Sequence, residues 1–495
     1  MSRAADGTPT VRAYEQGRVM GGGSSINVQS ANRGLPRDFD EWAALGAAGW
    51  GWDDVLPYFK KLETDLDCDG PLHGKTGPIP IRRVLQDSWP PYAHAAFEAF
   101  RATGLPTHLD QNGEVGDGLF PPAFSNANDQ RASTATSYLT AQVRKRPNLS
   151  IQAETTVLRL LVSGCRADGV AVRRKDASQA TLRGRRVILA AGALQSPAIL
   201  LRAGIGPGEP LRALGIPVAI ERPGVGQNLR DHPTLTFCQY LPPALRLPDR
   251  MRRASFLAMR YSSGLEGGSA SDMYVTASAR AGWHALGSRL ALYFLWCNRP
   301  HSVGHLRLVS PDPDTHPDID FNLLSHEADL RRMAQGVRRL VGLVVCKALN
   351  RNPGDVFPAN FSSRVKRLSL VSEANRRITA VLGRLLDVPA PLRQLVLRTF
   401  MLGGTGLHEI LSDDRQLEAF IRRNVFGVWH PAGTCRIGRD AGAVVDPTGR
   451  VIGSENIWVA DASVMPHLPT ANTNIPTIMI AEKISDGMAL DGHPA

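Results

Sequence analysis

Two polar residues near the end of the chain, His430 and Asn474, could carry out chemistry together. When a hydride leaves the carbon of an alcohol, the hydroxyl proton must also be removed, so a base has to lie beside the hydride acceptor. The pKa of an unperturbed histidine is near neutrality, and a carboxamide can orient the hydroxyl oxygen. The two residues are 44 positions apart, so only the fold can bring them together. Taken alone, His430 beside Trp429 would more commonly be a partly buried packing residue.

The segments around these two residues indicate which reaction the pair could serve. They comprise His-Pro-Ala-Gly-Thr at 430–434, Val-Val-Asp-Pro at 444–447, Asp-Ala-Ser-Val-Met-Pro at 461–466 and a stretch beginning Asn-Ile-Pro-Thr at 474–483. Further blocks occur at 17–27, which is rich in glycine, at 192–207 and at 224–233. In their order along nearly the whole chain, these segments resemble the glucose-methanol-choline (GMC) oxidoreductases.

The resemblance implies a flavin adenine dinucleotide (FAD) cofactor and a set of residues around it. Some relatives attach the flavin through a histidine at the position of Ile26, so the cofactor is expected to be held noncovalently here. A glycine loop allows a close approach of backbone to flavin, which a Cβ atom would block. The residues expected to contact FAD are Gly21, Gly22, Asn27, Ser30, Val157, Trp429, Asp461, Ala462, Asn474, Pro476 and Thr477.

One departure from the family is large. Its members open with a βαβ unit that carries a Gly-x-Gly-x-x-Gly fingerprint, and no such motif precedes Gly17. Residues 1–16 have the composition of a polar loop that would follow that unit. We expect that the start was assigned late in the reading frame, with a truncated relative as the alternative.

Local patterns predict an α/β (α+β overall) protein. Apolar runs at 187–192 and 457–461 are typical of buried parallel strands, and helices are expected at about 196–202, 327–345 and 476–488. Alternation from 150 to 172 predicts antiparallel strands, as do 292–296 and 304–309. We therefore predict a Rossmann-like FAD-binding domain at 1–34, 131–233 and 430–495. It would be interleaved with a substrate-binding domain at 35–130 and 234–429, built on an antiparallel sheet with helices.

Composition narrows the class of protein. The 495 residues carry a formal net charge of +11, but the arginines are dispersed and no nucleic-acid module is recognisable, so no nucleic-acid partner is expected. No apolar run is long enough to span a bilayer. Six scattered cysteines lack a Cys-x-x-Cys spacing, which argues against a zinc site or a disulfide framework and favours the cytoplasm; no metal is expected.

The segment 373–386 has the pattern of an amphipathic helix. Ile378, Val381, Leu382, Leu385 and Leu386 are expected on one face, with arginines elsewhere on the helix. We expect this face to pack on the helix's own domain. Peripheral association with a membrane surface is the alternative.

The expected function is oxidation of a primary alcohol to an aldehyde, with His430 as the base and hydride transfer to flavin N5. Oxygen or a quinone would be the electron acceptor. Within the family, Val-Trp-His before Pro431 and Arg-Gly-Leu-Pro-Arg-Asp at 33–38 resemble members that oxidise hydroxymethylfurfural or aryl alcohols, and choline is a less favoured substrate. Two alternatives are a flavin-containing hydroxynitrile lyase and a flavin-free, non-catalytic remnant.

Overall fold

A computed structural model describes residues 2–3, 9–10, 12–248, 250–349, 352–359, 363–400 and 407–490. These residues form both helices and strands, in runs of each kind as well as in alternation. The α-helices are α1 Pro36–Ala44, α2 Trp52–Leu62, α3 Pro91–Arg101, α4 Thr134–Ser137, α5 Ala141–Arg144, α6 Gln195–Arg202, α7 Gly208–Ala213, α8 Glu327–Val344, α9 Ser363–Ser369, α10 Glu373–Leu386, α11 Ala390–Phe400, α12 Leu407–Ser412, α13 Asp414–Asn424 and α14 Asn474–Leu490.

The strands are mostly short, and the longest lie in two antiparallel sheets. They are β1 Ser2–Arg3, β2 Pro9–Thr10, β3 Glu63–Asp65, β4 Ile79–Arg82, β5 Gly118–Phe120, β6 Phe124–Ala127, β7 Gln130–Arg131, β8 Thr155–Ser163, β9 Arg166–Arg174, β10 Gln179–Arg183, β11 Val187–Leu189, β12 Ile205–Gly206, β13 Ile220–Glu221, β14 Pro233–Tyr240, β15 Ser255–Tyr261, β16 Met273–Ser278, β17 Leu290–Cys297, β18 His305–Arg307, β19 Asp318–Asp320, β20 Val356–Ala359, β21 Phe426–Gly427 and β22 Ile457–Val459.

The largest sheet is antiparallel, with the order β20-β14-β17-β16-β15-β5 and β21 paired to β14. Its central strands β14 and β17 are buried over most of their length. Helices α3, α8 and α13 share one apolar core with the sheet, through side chains such as Phe100, Val337 and Leu417. This confirms the predicted antiparallel sheet with helices.

A second core surrounds the parallel pair β11 and β22, whose registers run from Val187 opposite Ile457 to Leu189 opposite Val459. Among the described residues this parallel sheet has two strands, and β11 has a partner on one side only. The antiparallel strands β8, β9 and β10 form a separate sheet beside it. Fold class is thus confirmed as mixed α and β, while the proposed domain boundaries stay a prediction.

Several predicted elements occur where expected. Helices α6, α8 and α10 begin and end within a residue of their predicted limits, and α14 begins two residues early, at Asn474. The strand expected over 304–309 shortens to His305–Arg307, because its only ladder partner among the described residues is the three-residue β19. Residues 2–3 pair with 9–10 as a short antiparallel bridge within the expected polar loop. Among the described helices, none combines the length and apolar character that a membrane span requires.

Candidate active site

His430 lies opposite His232 because two chain segments pair there. Strand β14 pairs with β21, and beyond that pair Arg230 and Ala432 exchange two backbone hydrogen bonds of 3.0 Å. This antiparallel register brings together two histidines that are 198 residues apart in sequence, with 2.9 Å between their Nδ1 atoms. Both side chains are buried. His232 was not expected at the site from the sequence, although it belongs to the block at 224–233.

The amide beside His430 belongs to Asn472. Its Nδ2 atom lies 2.9 Å from Nε2 of His430. The predicted partner was Asn474, which is the first residue of α14, whereas Asn472 lies in the irregular segment before that helix. The structure thus gives His430 a hydrogen bond from Asn472, and a role for Asn474 at the site stays a prediction. Within the described part of the chain, Asn474 makes no side-chain hydrogen bond. The sequence Asn-Thr-Asn at 472–474 contains two candidates with the same side chain, and this repeat is the signal from which Asn472 could have been found.

These contacts assign the proton on His430. The Asn472 amide, placed with Nδ2 toward the ring, can only donate, so Nε2 of His430 is an acceptor. A neutral imidazole then carries its proton on Nδ1, from which it donates to Nδ1 of His232. His232 thereby orients the ring, and the lone pair of Nε2, which accepts the Asn472 amide in this structure, is the one that would act as a base once a substrate hydroxyl takes the place of that amide.

Burial makes this base neutral. Desolvation, followed by the proximity of His232, lowers the pKa of His430 well below its usual value. Burial likewise lowers the pKa of His232 to about 4. Because an uncharged imidazole is the form that can accept a proton, His430 is ready to act as a base across the neutral pH range. Nε2 of His232 is buried without a hydrogen-bond partner among the described residues.

Asp231 holds the backbone of both histidines. Its Oδ1 accepts the N–H groups of His232 at 2.7 Å and His430 at 3.0 Å, while Oδ2 accepts the hydroxyl of Tyr14 at 2.5 Å. Burial raises the pKa of Asp231 to about 7, against the opposing effect of these donors. Tyr14 comes from the N-terminal segment, which thus contacts the carboxylate that holds the base. The ring of Trp429 lies 6.5 Å from that of Tyr14, centroid to centroid, and the Trp429 backbone is left-handed, with φ 61°.

Asn472 is positioned by residues from the first hundred of the chain. Its backbone N–H donates to Oδ1 of Asn32 at 3.1 Å. Two residues earlier, Thr470 donates its N–H and its hydroxyl to the buried carboxylate of Asp38, at 2.7 and 2.8 Å. Asp38 is paired in turn with Arg299 at 2.7 Å. This anchoring fixes the irregular segment that carries Asn472 toward His430.

The glycine loop coils tightly on itself before the short 3-10 helix Gly22–Ser25. Gly21 has φ +85°, and a Cβ atom there would come within 2.5 Å of the Ser25 hydroxyl. A Cβ at Gly22 or Gly23 would instead meet no atom within 4 Å, so this side of the loop faces open space. Oδ1 of Asn27 accepts hydrogen bonds within the loop, from the N–H of Gln29 and from Arg131.

The other predicted cofactor residues lie on several elements. The carboxylate of Asp461 is buried and accepts the N–H groups of Gly192 and Ser463, both at 2.8 Å, so it joins the ends of β11 and β22. Ala462 follows it and is also buried. At the start of α14, Pro476 is buried and the hydroxyl of Thr477 donates to the carbonyl of Thr473 at 2.6 Å. The remaining predicted residue of the first segment, Ser30, forms a β-bridge to Phe124.

The described chain fits a large, flat and partly apolar cofactor. Val157 on β8 follows Thr156, whose hydroxyl accepts a hydrogen bond from Arg18 of the glycine loop at 3.4 Å, so these two predicted regions are neighbours. Apolar side chains exposed on the loop, directly after it, on β8 and on β11 are available to contact such a cofactor. They are Val19, Ile26, Val28, Val157 and Ile188.

One buried cluster has the donor atoms of a metal site, namely Glu63, Asp65 and His73. Arg33 pairs with Glu63, and Arg83 pairs with Asp65 at 2.9 Å. Burial alone would lower the pKa of His73, but the hydrogen bonds that its ring donates to neighbouring carboxylates raise it to about 10. The carboxylates are thus already balanced by cations of the protein itself.

Comparison with known proteins identifies the class. Family models described as GMC oxidoreductase match residues 6–234 and 300–481. The chain is 45% identical over 482 residues to the 5-(hydroxymethyl)furfural oxidase of Methylovorus sp. (strain MP688), covering 96% of this chain and 83% of that protein. It is 33% identical to the oxygen-dependent choline dehydrogenase of Ectopseudomonas mendocina (strain ymp), covering 95% and 80% of the two chains.

Solved structures agree on the fold. Pyridoxine 4-oxidase from Mesorbium loti superposes with a TM-score of 0.78 at 24% identity, over 99% of this chain and 88% of that one. A formate oxidase of Aspergillus oryzae RIB40 gives 0.81 at 22% identity, over 99% and 87%. At these identities the likeness concerns the fold alone.

The chain therefore belongs to the GMC oxidoreductase family. It is an FAD-dependent oxidoreductase that acts on the CH–OH group of its donors, as the resemblance implied. Neither alternative, a hydroxynitrile lyase or a flavin-free remnant, is favoured by these relatives.

Proposed function

We propose that this enzyme oxidises a primary alcohol to an aldehyde at the pair formed by His430 and Asn472. The observation that supports this most strongly is the 2.9 Å contact between His430 Nε2 and Asn472 Nδ2, an acceptor and a donor side by side in a buried site. An alcohol hydroxyl is the complement of such a pair, since it donates one hydrogen bond and accepts others.

In the proposed reaction the hydroxyl inserts between the two side chains. Asn472 donates to the alcohol oxygen, and the hydroxyl proton faces Nε2 of His430. FAD, when bound, accepts the hydride that leaves the alcohol carbon. His430 takes the proton as the carbonyl forms, and Nδ1–H of the resulting imidazolium keeps its hydrogen bond to His232. The alcohol thus loses one proton and one hydride, and an aldehyde is released.

The cofactor would be held noncovalently by the residues predicted for it. Gly21, Gly22 and Asn27 would form the loop over the flavin, with Val157 against the adenine. The free N–H groups at the start of α14 would favour partial negative charge on the flavin. Asp461 would contact FAD through its backbone, because its carboxylate oxygens already accept hydrogen bonds from the protein.

The proposed substrate is a small aromatic primary alcohol such as a hydroxymethyl-substituted furan or benzene. Support comes from the 45% identity to a hydroxymethylfurfural oxidase and from Trp429, which adjoins the base in sequence and whose ring packs against Phe426, so that it could form an aromatic wall. We propose oxygen as the electron acceptor, since that relative is named an oxidase. A reducing compartment such as the cytoplasm is proposed on the ground that all six cysteines are free.

The experiment that tests this function mixes the FAD-loaded enzyme with hydroxymethylfurfural without oxygen and follows the absorbance of the flavin. Rapid bleaching is expected, followed by recovery of the colour and production of hydrogen peroxide when oxygen is admitted. In His430→Ala the bleaching should slow by about 10²- to 10⁴-fold, the usual contribution of a general base.

The flavin content of His430→Ala provides the control, because a variant that retains FAD but bleaches slowly has lost a step of the reaction rather than its cofactor. Normal bleaching in this variant would exclude His430 as the base. If wild-type enzyme is bleached by choline and not by hydroxymethylfurfural, the proposed substrate class is wrong while the base assignment stands.

A further inference from the structure

Helix α10 leaves an apolar stripe in solvent. Ile378, Val381 and Leu385 follow the spacing i, i+3, i+7 and therefore share one face. They are 48%, 57% and 41% exposed. The sequence pattern had placed Leu386 on that same face and had predicted that the face packs inward. In the structure Leu386 is buried on another side of the helix, so this expectation is wrong for the three exposed residues.

The helix packs through a different face. Thr379, Gly383 and Leu386 are its buried residues. A Cβ atom at Gly383 would approach the Arg289 guanidinium to 3.0 Å and the carbonyl of Ala285 to 3.2 Å, which shows how closely the helix lies against the segment before β17. Leu386 continues this contact into a small core with Tyr240 and Phe357. The position of α10 is thus fixed without any help from the apolar stripe.

More apolar surface adjoins the ends of the helix. Leu370 and Val371 precede its N-cap residue, Ser372, and both are well exposed. The half-exposed indole of Trp283 donates its N–H to the carbonyl of Ser369 at 2.7 Å, which places an aromatic ring at the same end. Indole rings, with one polar atom on an apolar body, are favoured where an apolar phase meets water.

Positive charge lies beside this surface. Residues 363–400 include eight lysines or arginines and two acidic residues, a formal charge of +6 out of +11 for the whole chain, although Arg393 is buried against Asp355 and Lys366 pairs with Glu15. On α10 itself, Arg376, Arg377 and Arg384 are basic, and the single acidic residue is Glu373. The pairs of Glu373 with Arg376 and Arg377 are long, at 3.6 Å, and solvent-exposed, so they neutralise these arginines only weakly.

From this combination we infer that the α10 surface, defined as Leu370, Val371, Ile378, Val381 and Leu385 with their neighbouring arginines, binds an anionic phospholipid bilayer. An amphipathic helix with Leu, Ile and Val on one face and arginines beside them can bury its apolar side chains at the level of the headgroups while the arginines meet phosphate. Contact with a second copy is disfavoured, because it would oppose two surfaces of the same positive charge.

The test uses the full-length, FAD-loaded enzyme in sedimentation with vesicles of phosphatidylcholine, with and without phosphatidylglycerol. Binding is expected to vesicles that contain phosphatidylglycerol, to be much weaker to phosphatidylcholine alone, and to decrease with salt. The triple variant Ile378→Ser, Val381→Ser, Leu385→Ser should bind at least about tenfold more weakly.

A matched control removes three apolar side chains that are similarly exposed elsewhere, through Leu109→Ser, Val115→Ser and Val309→Ser. It should bind vesicles as the unmodified enzyme does. Since all six positions lie on the surface, both triple variants should keep their flavin and their oxidation rate in free solution.

A matched pair of arginine variants tests the electrostatic contribution to vesicle binding. Arg377 and Arg331 are both exposed helical residues paired with a glutamate four positions earlier, Glu373 and Glu327. We expect Arg377→Gln to weaken binding to anionic vesicles about fivefold and Arg331→Gln to leave it unchanged.

The proposal is overturned if the enzyme does not sediment with anionic vesicles, or if the α10 triple variant binds them as tightly as the control triple variant. Self-association that the α10 variant abolishes, without vesicle binding, would assign the surface to a second copy and would also overturn it. Because flavin reduction is measured in free solution, failure here leaves the proposed oxidation unaffected.

Discussion

His232 should set the rate of alcohol oxidation although it lies behind the base. In the structure its Nδ1 atom accepts the proton on Nδ1 of His430, across 2.9 Å in a buried environment. In His232→Leu that donor would be left buried with no acceptor, which costs about 1–3 kcal/mol. The ring can avoid this cost by moving its proton to Nε2 or by turning, and either change removes the base from the substrate.

A cost of this size corresponds to a roughly 5- to 150-fold slower reduction of bound FAD, since about 1.4 kcal/mol is a factor of ten. His232→Gln supplies a carbonyl oxygen as a substitute acceptor and should recover most of the rate. The assay is anaerobic stopped-flow reduction by a primary alcohol as a function of pH, with flavin content and melting temperature measured for each variant.

The pH profile distinguishes positioning from a general loss of structure. His430 has a lowered pKa, so its active neutral form persists as pH falls, and the rate decreases only at acidic pH. Burial is the main cause of this lowering and persists in His232→Leu, so a lost position should slow the reaction at every pH while the decrease stays at acidic pH. Asp231, with a pKa raised to about 7, also lies against these backbones, and Asp231→Asn serves to remove its titration. The reasoning is refuted if His232→Leu reduces its flavin at the normal rate, or if Gln at 232 is no better than Leu.

Three further outcomes are expected. Asn472→Ala should slow flavin reduction and raise KM for the alcohol, whereas Asn474→Ala should affect mainly FAD affinity; equal effects on flavin reduction would count against the proposed role of Asn472. Gly21→Ala should lower the melting temperature, because its Cβ would strike Ser25 at positive φ, while Gly23→Ala, with open space around it, should not. His73, with a folded pKa of about 10 above the unfolded value near 6.5, stabilises the fold fully below about pH 6.5. This stabilisation is lost as pH rises through 10, by at most about 1.4 kcal/mol per pH unit, and urea titrations of His73→Gln should show a shallower loss.

The spacing of apolar residues predicted the limits of individual helices well, but it did not predict which face of a helix packs against its neighbours. The limits of α10 were predicted from its apolar spacing, but the helix has apolar or small residues on two faces. Ile378, Val381 and Leu385 are the larger set, yet Thr379, Gly383 and Leu386 make the contact because Gly383 permits a close approach to Arg289. Spacing reports that a helix is amphipathic and cannot report which side its neighbours occupy.

Only part of the site was predicted, because the rest depends on long-range contacts. His430 could be named from its motif, but the register of 230–234 against 426–432 is a long-range feature that no local pattern encodes, so His232 and Asp231 were not expected beside it. The choice between Asn472 and Asn474 depends on where α14 begins, and helix ends are the least certain part of a prediction from sequence. The anchoring of the 470 segment by Asp38 decided it.

The central claim is that one hydroxyl group is held between Nε2 of His430 and the amide of Asn472. A crystal structure of the FAD-loaded enzyme with a fluorinated alcohol, which is a poor hydride donor, measures this directly. We predict that the alcohol oxygen lies about 2.6–3.2 Å from both atoms, with its carbon toward the flavin. An alcohol oxygen bound to Asn474 instead of Asn472, or one that contacts neither side chain of the pair, would contradict the account.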